Sequence, residues 1–414
     1  MSDTPTVIPR SPAPDDTLAF LRNGYLYGTR RFRKLGSDAF EARLAGTRAV
    51  VMHGREAASV FYEGDRFSRE RAMPSSVQHL LQDDGSVQSL EGPPHRHRKT
   101  MFMRMLDDAS VVRLVESFEH EWRRVRAEHA GQEVPLYDLG NLVLTRSALA
   151  WAGIPRDRVD DRDLAGRLAA MVDRASSIGP VDRIARARRR GAEDWASGLV
   201  ADVRSGLADA GPDSAIRTIA DGSDDHGAPL PEEVAAVEVL NLLRPIVAVS
   251  RFLVFAVHAM HTHPQWHAAV EHDADAATRV ANEVRRFYPF FPVISGTVQR
   301  PFEWRGRDFE PGDRAVLDLY ATNHDERLWD EPGRFLPERF QGWEGDPNTL
   351  VPQGGGEAAT GHRCPGEAAT IALTARFAQL AASRPFSVPD QDLRISLRHI
   401  PALPMDRLRV QMRA

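Results

Sequence analysis

Between residues 53 and 207 apolar positions recur at three- and four-residue spacing, and strict alternation is confined to short stretches elsewhere. The spacing predicts helices over 55–62, 94–105, 111–129 and 139–153, set apart by clusters of Gly, Pro and Asp. Residues 40–44 and 47–52 (TRAVVM) read as strands with Gly46 at the turn between them. Pro231 opens a long helix, with Glu232 and Glu233 in the first turn where the helix dipole favours anions. It runs to about 261 and is stopped by His263–Pro264. A second helix, 275–288, is ended by Pro289 and Pro292. Short strands are expected over 293–298, 302–304 and 315–317, and a last helix over 365–382 follows a glycine-rich loop. The fold class is mainly α with small β-sheets. One large domain from 15 to 414 follows a flexible arm over 1–14 that holds four prolines. The polar Gly/Asp/Pro stretch 211–231 is the candidate hinge or lid.

Composition narrows the function classes. At 414 residues, 42% hydrophobic and 27% charged, the chain can bury a core and is not disordered. A net charge of −5 gives no bulk basicity for nucleic acid, and only Lys34 and Lys99 among the 53 basic residues are lysine. The most apolar run, 240–260, is interrupted by Arg244, Pro245 and Arg251, so no membrane span is expected. The first fourteen residues lack the apolar centre of a signal peptide, and a cytoplasmic location is the expectation. The single cysteine, Cys364, excludes an internal disulfide and any multi-cysteine cluster. It leaves an inert buried thiol, a nucleophile or one axial metal ligand.

The segment 352–367 reads PQGGGEAATGHRCPGE. Its glycines, ending at Gly356, allow something flat to lie against the loop. Pro365 at a first helical position would aim free N–H groups and the positive dipole end at Cys364, favouring thiolate. Upstream, Glu283 and Arg286 stand at i and i+3, and Pro337-Glu338-Arg339-Phe340 follows some fifty residues later. An ExxR pair alone is an ordinary surface contact. Followed by PERF and a lone cysteine before a helix, it resembles the haem-thiolate cytochrome P450 superfamily over nearly the whole chain. The resemblance implies haem b as cofactor with Cys364 as the iron ligand, and a structural role for Glu283, Arg286 and Arg339. Gly356, His95, Lys99 and Arg69 are the further cofactor-binding candidates. His95 and Lys99, at i and i+4, would face haem propionates from one side of a helix, although Lys99 stands where the superfamily has arginine. A merely solvated basic face is the competing reading there. A His95–His97 metal pair is disfavoured, because i and i+2 side chains point to different faces.

One departure decides the expected chemistry. The superfamily's central helix carries an acid–alcohol pair that relays protons, whereas residues 241–245 here read Asn-Leu-Leu-Arg-Pro. Arg244 on an apolar helix needs an anion, either a protein acid such as Glu238 or a substrate carboxylate held bidentately. Pro245 would kink the helix beside it. With Tyr288-Pro289-Phe290 and with Glu357 where the usual Phe stands, the chain resembles the fatty-acid peroxygenase branch. That implies hydroxylation of fatty acids at the α or β carbon by hydrogen peroxide, the substrate carboxylate on Arg244 replacing the missing acid. Arg244, Pro245 and Gln88 are then catalytic, and Leu81, Phe290, Phe291 and Val293 line the substrate channel. Members of the branch that favour alkenes often have histidine at the position of Gln88, so hydroxylation is the expected main outcome and decarboxylation a minor one. The partners are a fatty acid and peroxide, with no obligatory redox protein. The alternatives are a ferredoxin-dependent monooxygenase and a haem-binding sensor without turnover.

Overall fold

The computed structural model describes residues 7–74, 80, 85–174, 180–383 and 386–413. A five-stranded sheet lies to one side of a helical body. Strand Ala39–Leu44 pairs antiparallel with Thr47–Met52, which runs parallel to Arg314–Asp318. Val293–Val298 and Phe67–Ser68 complete the order. Register sorts the side chains by parity. Val50, Met52, Ala315 and Leu317 enter one apolar cluster; Ala49, Val51 and Val316, on the opposite face, enter another. The arm lies along this sheet, with Ile8 buried and Glu41 N–H donating to Pro9 O over 2.8 Å.

The helical body forms where apolar spacing is densest. Helix Leu136–Ala152 is buried almost all round and ends on the left-handed Gly153, as an interior helix should. Asp107, Asp160 and Asp273 cap the starts of Asp108–Glu128, Asp161–Asp173 and Ala274–Phe287 by accepting backbone N–H groups. The stretch 232–262 is two helices, Glu232–Ala248 and Ser250–Thr262, rather than one. Pro245 has no N–H to give the preceding turn, and Val249 closes on Ile246 O at 3.1 Å, a tighter i→i−3 link, where the helix breaks. Its most apolar window is 94% buried, which makes this a core helix.

Other expectations shift. The candidate lid 211–231 contains a helix, Ala215–Ala220, whose Ile216 and Ile219 sit in the main core, so apolar anchoring overrides the polar composition there. The last helix begins at Glu367, two residues later than expected, and Pro365 and Gly366 form a turn before it. Two ribbons, Phe302–Trp304 with Arg307–Phe309 and Glu133–Pro135 with Arg409–Gln411, include strands too short to show a period.

The ExxR and PERF residues converge in one buried lock. Arg286 donates through Nε and Nη2 to the Glu283 carboxylate at 2.7 and 2.8 Å, both side chains being fully buried. Its Nη1 reaches the carbonyls of Asn323 and Pro332 at 2.9 and 3.1 Å. Glu283 also accepts Leu336 N–H at 2.8 Å and lies 3.2 Å from Arg339 Nε. Helix Ala274–Phe287 is thereby tied to the segments that precede the cysteine loop. Removing one partner of such a pair strands the other charge. Glu283→Ala should lower unfolding free energy by roughly 3–5 kcal/mol, whereas Glu331→Ala, at the exposed Arg334–Glu331 pair, should cost far less. Denaturant unfolding of both variants checks this; equal losses would contradict it.

Asp318 supplies a pH-dependent element. It is 2% exposed, ends its strand, and accepts Ala321 N–H at 2.8 Å to cap Leu319–Asn323. Burial pushes its carboxyl up to about 7. The folded state therefore binds the proton more tightly than the unfolded chain, and this contribution to stability is lost as pH rises from about 4 towards about 7. Asp318→Asn keeps an acceptor for the cap and removes the titration. Its stability relative to the parent should rise across that window and level off above it, measured by urea unfolding; a difference independent of pH would contradict this.

Candidate active site

The turn that carries Cys364 is built from three directions. Cys364 N–H donates to Gln353 O at 3.1 Å, and the Gln353 amide Nε2 donates to Thr370 Oγ1 at 2.9 Å on the following helix. Arg285, fully buried one residue before the lock arginine, donates to Gln353 Oε1 at 3.0 Å and pairs with Glu367. Glu367 also accepts from Arg363 Nε at 2.5 Å. The sulfur faces a cavity roofed by Leu242, Pro245 and Ile246 of the central helix, with Phe102, Leu106 and Leu373 at its sides. Burial pushes the Cys364 thiol up, outweighing the opposing influence of Gly366 N–H and of Lys99 and Arg285. The Gly366 N–H, at the turn before the helix, acts in the direction the sequence suggested, favouring thiolate.

One end of the cavity is polar. His95 is buried and stacks on His362 with ring centroids 4.1 Å apart. Burial depresses its pKa to about 3, so the ring is neutral. His362 Nε2 stands 3.0 Å from Glu91 Oε2. Lys99 is buried and donates through Nζ to Gly361 O at 3.0 Å and to Arg363 O, bracing the cysteine turn; desolvation brings its pKa down to about 8. His95, Lys99 and Gln88 all line the cavity with Cys364. Arg69 stands apart from that lining. Its guanidinium lies 4.1 Å over the Phe61 ring and donates to Ser295 O at 3.1 Å. Gly356 also faces elsewhere. It has φ +74°, and a Cβ there would come within 2.7 Å of Tyr62 Cβ, so the glycine is needed for packing on Tyr62.

Arg244 is 4% exposed on the helix that roofs the cavity, between the lining residues Asn241 and Pro245. It donates to Asn241 Oδ1 at 3.0 Å and to Leu80 O at 3.3 Å. Glu238, the acid weighed as its partner, is taken by another arginine: Arg98 Nη1 donates to Glu238 Oε1 at 2.6 Å. Gln88 lines the same cavity, its Oε1 accepting from Ser86 Oγ at 3.0 Å. The predicted channel residues do not gather here. Phe290 packs on Phe252 with centroids 4.7 Å apart, Phe291 is 37% exposed, and Val293 pairs with Asp318 in the sheet. Leu81 lies outside the described residues. Sequence reading missed Gln353, His362 and Glu367, all within the segment it quoted. It also missed Arg285, whose adjacency to Arg286 hid a second buried guanidinium.

The donor set fits a metal that arrives already held by an organic ring. Among the described residues no group of three or more His, Cys, Asp or Glu is placed to hold a bare ion. A single sulfur facing an apolar slot supplies one soft axial ligand, which is what ring-bound iron lacks. The neutral and basic groups at the polar end suit the carboxylates such a ring carries.

The comparisons agree. The family model described as Cytochrome P450 matches residues 275–373. Cytochrome P450 3A5 of Homo sapiens is 26% identical over 136 residues, 28% of this chain and 27% of that protein. This chain thus spans about a quarter of the length of the relatives it matches by sequence. Solved structures match far more of it. Cytochrome P450EX alpha (CYP152N1) with myristic acid superposes with TM-score 0.93 at 39% identity, covering 98% of each chain. Cytochrome P450SP alpha (CYP152B1) in complex with (R)-ibuprophen gives 0.91 at 39%, covering 96% of this chain and 98% of that one. A variant of cytochrome P450 OleT in complex with arachidonic acid gives 0.94 at 31%, covering 98% of each. Identity of this order over both full lengths decides the matter, and the chain belongs to the cytochrome P450 superfamily, on its fatty-acid peroxygenase branch.

Proposed function

We propose that this protein hydroxylates fatty acids at the α or β carbon with hydrogen peroxide, docking the substrate carboxylate on Arg244. The observation that carries the reading is the buried Arg244 next to Pro245, which lines the Cys364 cavity from the central helix. Fatty acids in the complexes of cytochrome P450EX alpha and OleT support the substrate class. When bound, haem supplies the iron at which peroxide is activated for C–H oxidation. Cys364 would hold that iron, with His95, Lys99 and Gln88 along the polar side of the same cavity.

The remaining work falls to the chain's own residues. The guanidinium of Arg244 presents a planar fork that matches a carboxylate, and burial makes that match strong. Anchoring one end of the substrate limits which carbons reach the cavity, and those are the first two beyond the carboxyl. Asn241, Leu242, Pro245, Ile246 and Val249 form the central-helix wall. None of these five bears an acid or a hydroxyl, so the carboxylate on Arg244 is the group at this wall that accepts and returns a proton. Gln88, a neutral amide, holds no acidic proton to deliver, which favours hydroxylation over loss of carbon dioxide. The balance needs no reductant. The carbon loses two electrons, the O–O bond breaks, one oxygen enters as hydroxyl and the other leaves as water. No redox protein is required.

Two measurements test the reading. Holoenzyme given peroxide and a series of fatty acids should yield 2- and 3-hydroxy acids, and ferredoxin, reductase and NADPH in place of peroxide should yield almost none; the reverse would contradict it. Arg244→Ala should lower kcat/KM for fatty acids on the order of a hundredfold, the scale for truncating one side of a buried charge pair. Short carboxylic acids should let the parent enzyme, but not this variant, oxidise substrates that lack a carboxyl. An unchanged kcat/KM would overturn the docking assignment.

A further inference from the structure

The Glu238 carboxylate is fully buried one turn and a half before Arg244 on the same helix. It accepts from three donors on three segments. Arg98 Nη1 reaches Oε1 at 2.6 Å and Val87 N–H reaches Oε1 at 2.9 Å, while Asn241 Nδ2 reaches Oε2 at 2.9 Å. The Asn241 carbonyl oxygen then accepts from Arg244 Nη2 at 3.0 Å. The run Glu238, Asn241, Arg244 has spacing i, i+3, i+6, so all three lie along one helix face.

The polarity of this chain is set by its first member. Burial pushes the Glu238 carboxyl up against the pull of Arg98, but all three groups that face its oxygens are donors, so the oxygens act as acceptors. Glu238 therefore forces the Asn241 amide to turn its NH2 towards Glu238 and its oxygen towards Arg244. The opposite orientation would set oxygen against carboxylate and NH2 against guanidinium. The Glu238 oxygen that takes Arg98 also fixes Val87, which with its neighbour Gln88 lines the cavity. One buried carboxylate thus ties together the helix that carries His95 and Lys99, the Gln88 turn and the arginine.

We propose that Glu238 is a positioning residue for the carboxylate dock, orienting the Arg244 guanidinium through the Asn241 amide. This rests on the assignment of Arg244 as the dock. It assigns to Glu238 a role other than that of counter-ion to Arg244, since its charge is matched by Arg98 and its effect on Arg244 travels through a neutral amide. In Glu238→Gln one acceptor oxygen becomes an NH2 group. Facing Asn241, that group turns the amide round and sets donor against donor at Arg244.

The test compares two ligands of equal chain length on holoenzyme, a fatty acid and the corresponding fatty alcohol, by titration calorimetry. KM, kcat and the α-to-β product ratio are measured in parallel. Glu238→Gln should weaken fatty-acid binding about tenfold, the scale of one hydrogen bond to a charged group. It should raise KM and shift the product ratio, while alcohol binding changes less than about twofold. Asn241→Ala, which leaves the Arg98–Glu238 pair in place, carries the same expectation if Glu238→Gln does not fold. Equal effects on acid and alcohol, or none on either, overturn the proposal, because a merely structural role treats both ligands alike. Arg244→Ala separates the two levels. If it weakens acid binding while Glu238→Gln and Asn241→Ala do not, only the positioning role falls; if it leaves acid binding unchanged, the dock itself falls.

Discussion

A guanidinium taken out of water must be met by charge or by well-placed acceptors, and this chain meets that demand repeatedly. Arg286 is matched by Glu283, Arg98 by Glu238, Arg285 by Glu367 and Arg251 by Asp173. Arg69 is met by a carbonyl and two aromatic rings. These ion pairs cost desolvation and return it only when every donor finds an oxygen. What they supply is geometry. The Glu283 lock fixes the segments leading to the cysteine loop, the Glu367 bracket fixes the loop itself, and the Glu238 chain fixes the wall across the cavity.

The active site follows as the place where those three braces meet. Cys364 is held by the backbone of Gln353, Lys99 presses on the same turn from the opposite helix, and the central helix breaks after Pro245 where the roof is formed. The same packing that braces the cysteine turn also removes water from Arg244, which gives the guanidinium its strength towards a carboxylate. Under the proposed docking, regiochemistry and proton supply become two consequences of one contact.

Much of this was legible in the sequence, and the pattern of misses is physical. Strong periodicity placed strand 47–52 and helix 55–62 at their observed bounds, and moved the ends of others by a few residues, since caps decide ends and apolar spacing does not. The strands Arg307–Phe309 and Glu133–Pro135 are three residues long and carry no period to read. Motif order identified Cys364, Glu283, Arg286 and Arg339, whose sequence along the chain is itself the signal. Arg69 was assigned to the cofactor by resemblance and Gly356 by its glycine-rich loop; that Gly356 packs on Tyr62, from a helix far upstream, is something no spacing reveals. Glu238 was weighed only as a counter-ion for Arg244. That Arg98, 140 positions upstream, would take it is a fact of tertiary packing.

The central claim is that the molecule being oxidised supplies the acid that the central helix lacks. Its most direct test is a crystal structure of the holoenzyme with a long-chain fatty acid. The account predicts both carboxylate oxygens within about 3 Å of the Arg244 guanidinium nitrogens, with the first carbons beyond them turned into the Cys364 cavity. A carboxylate resting elsewhere, with the tail entering that cavity first, would contradict it.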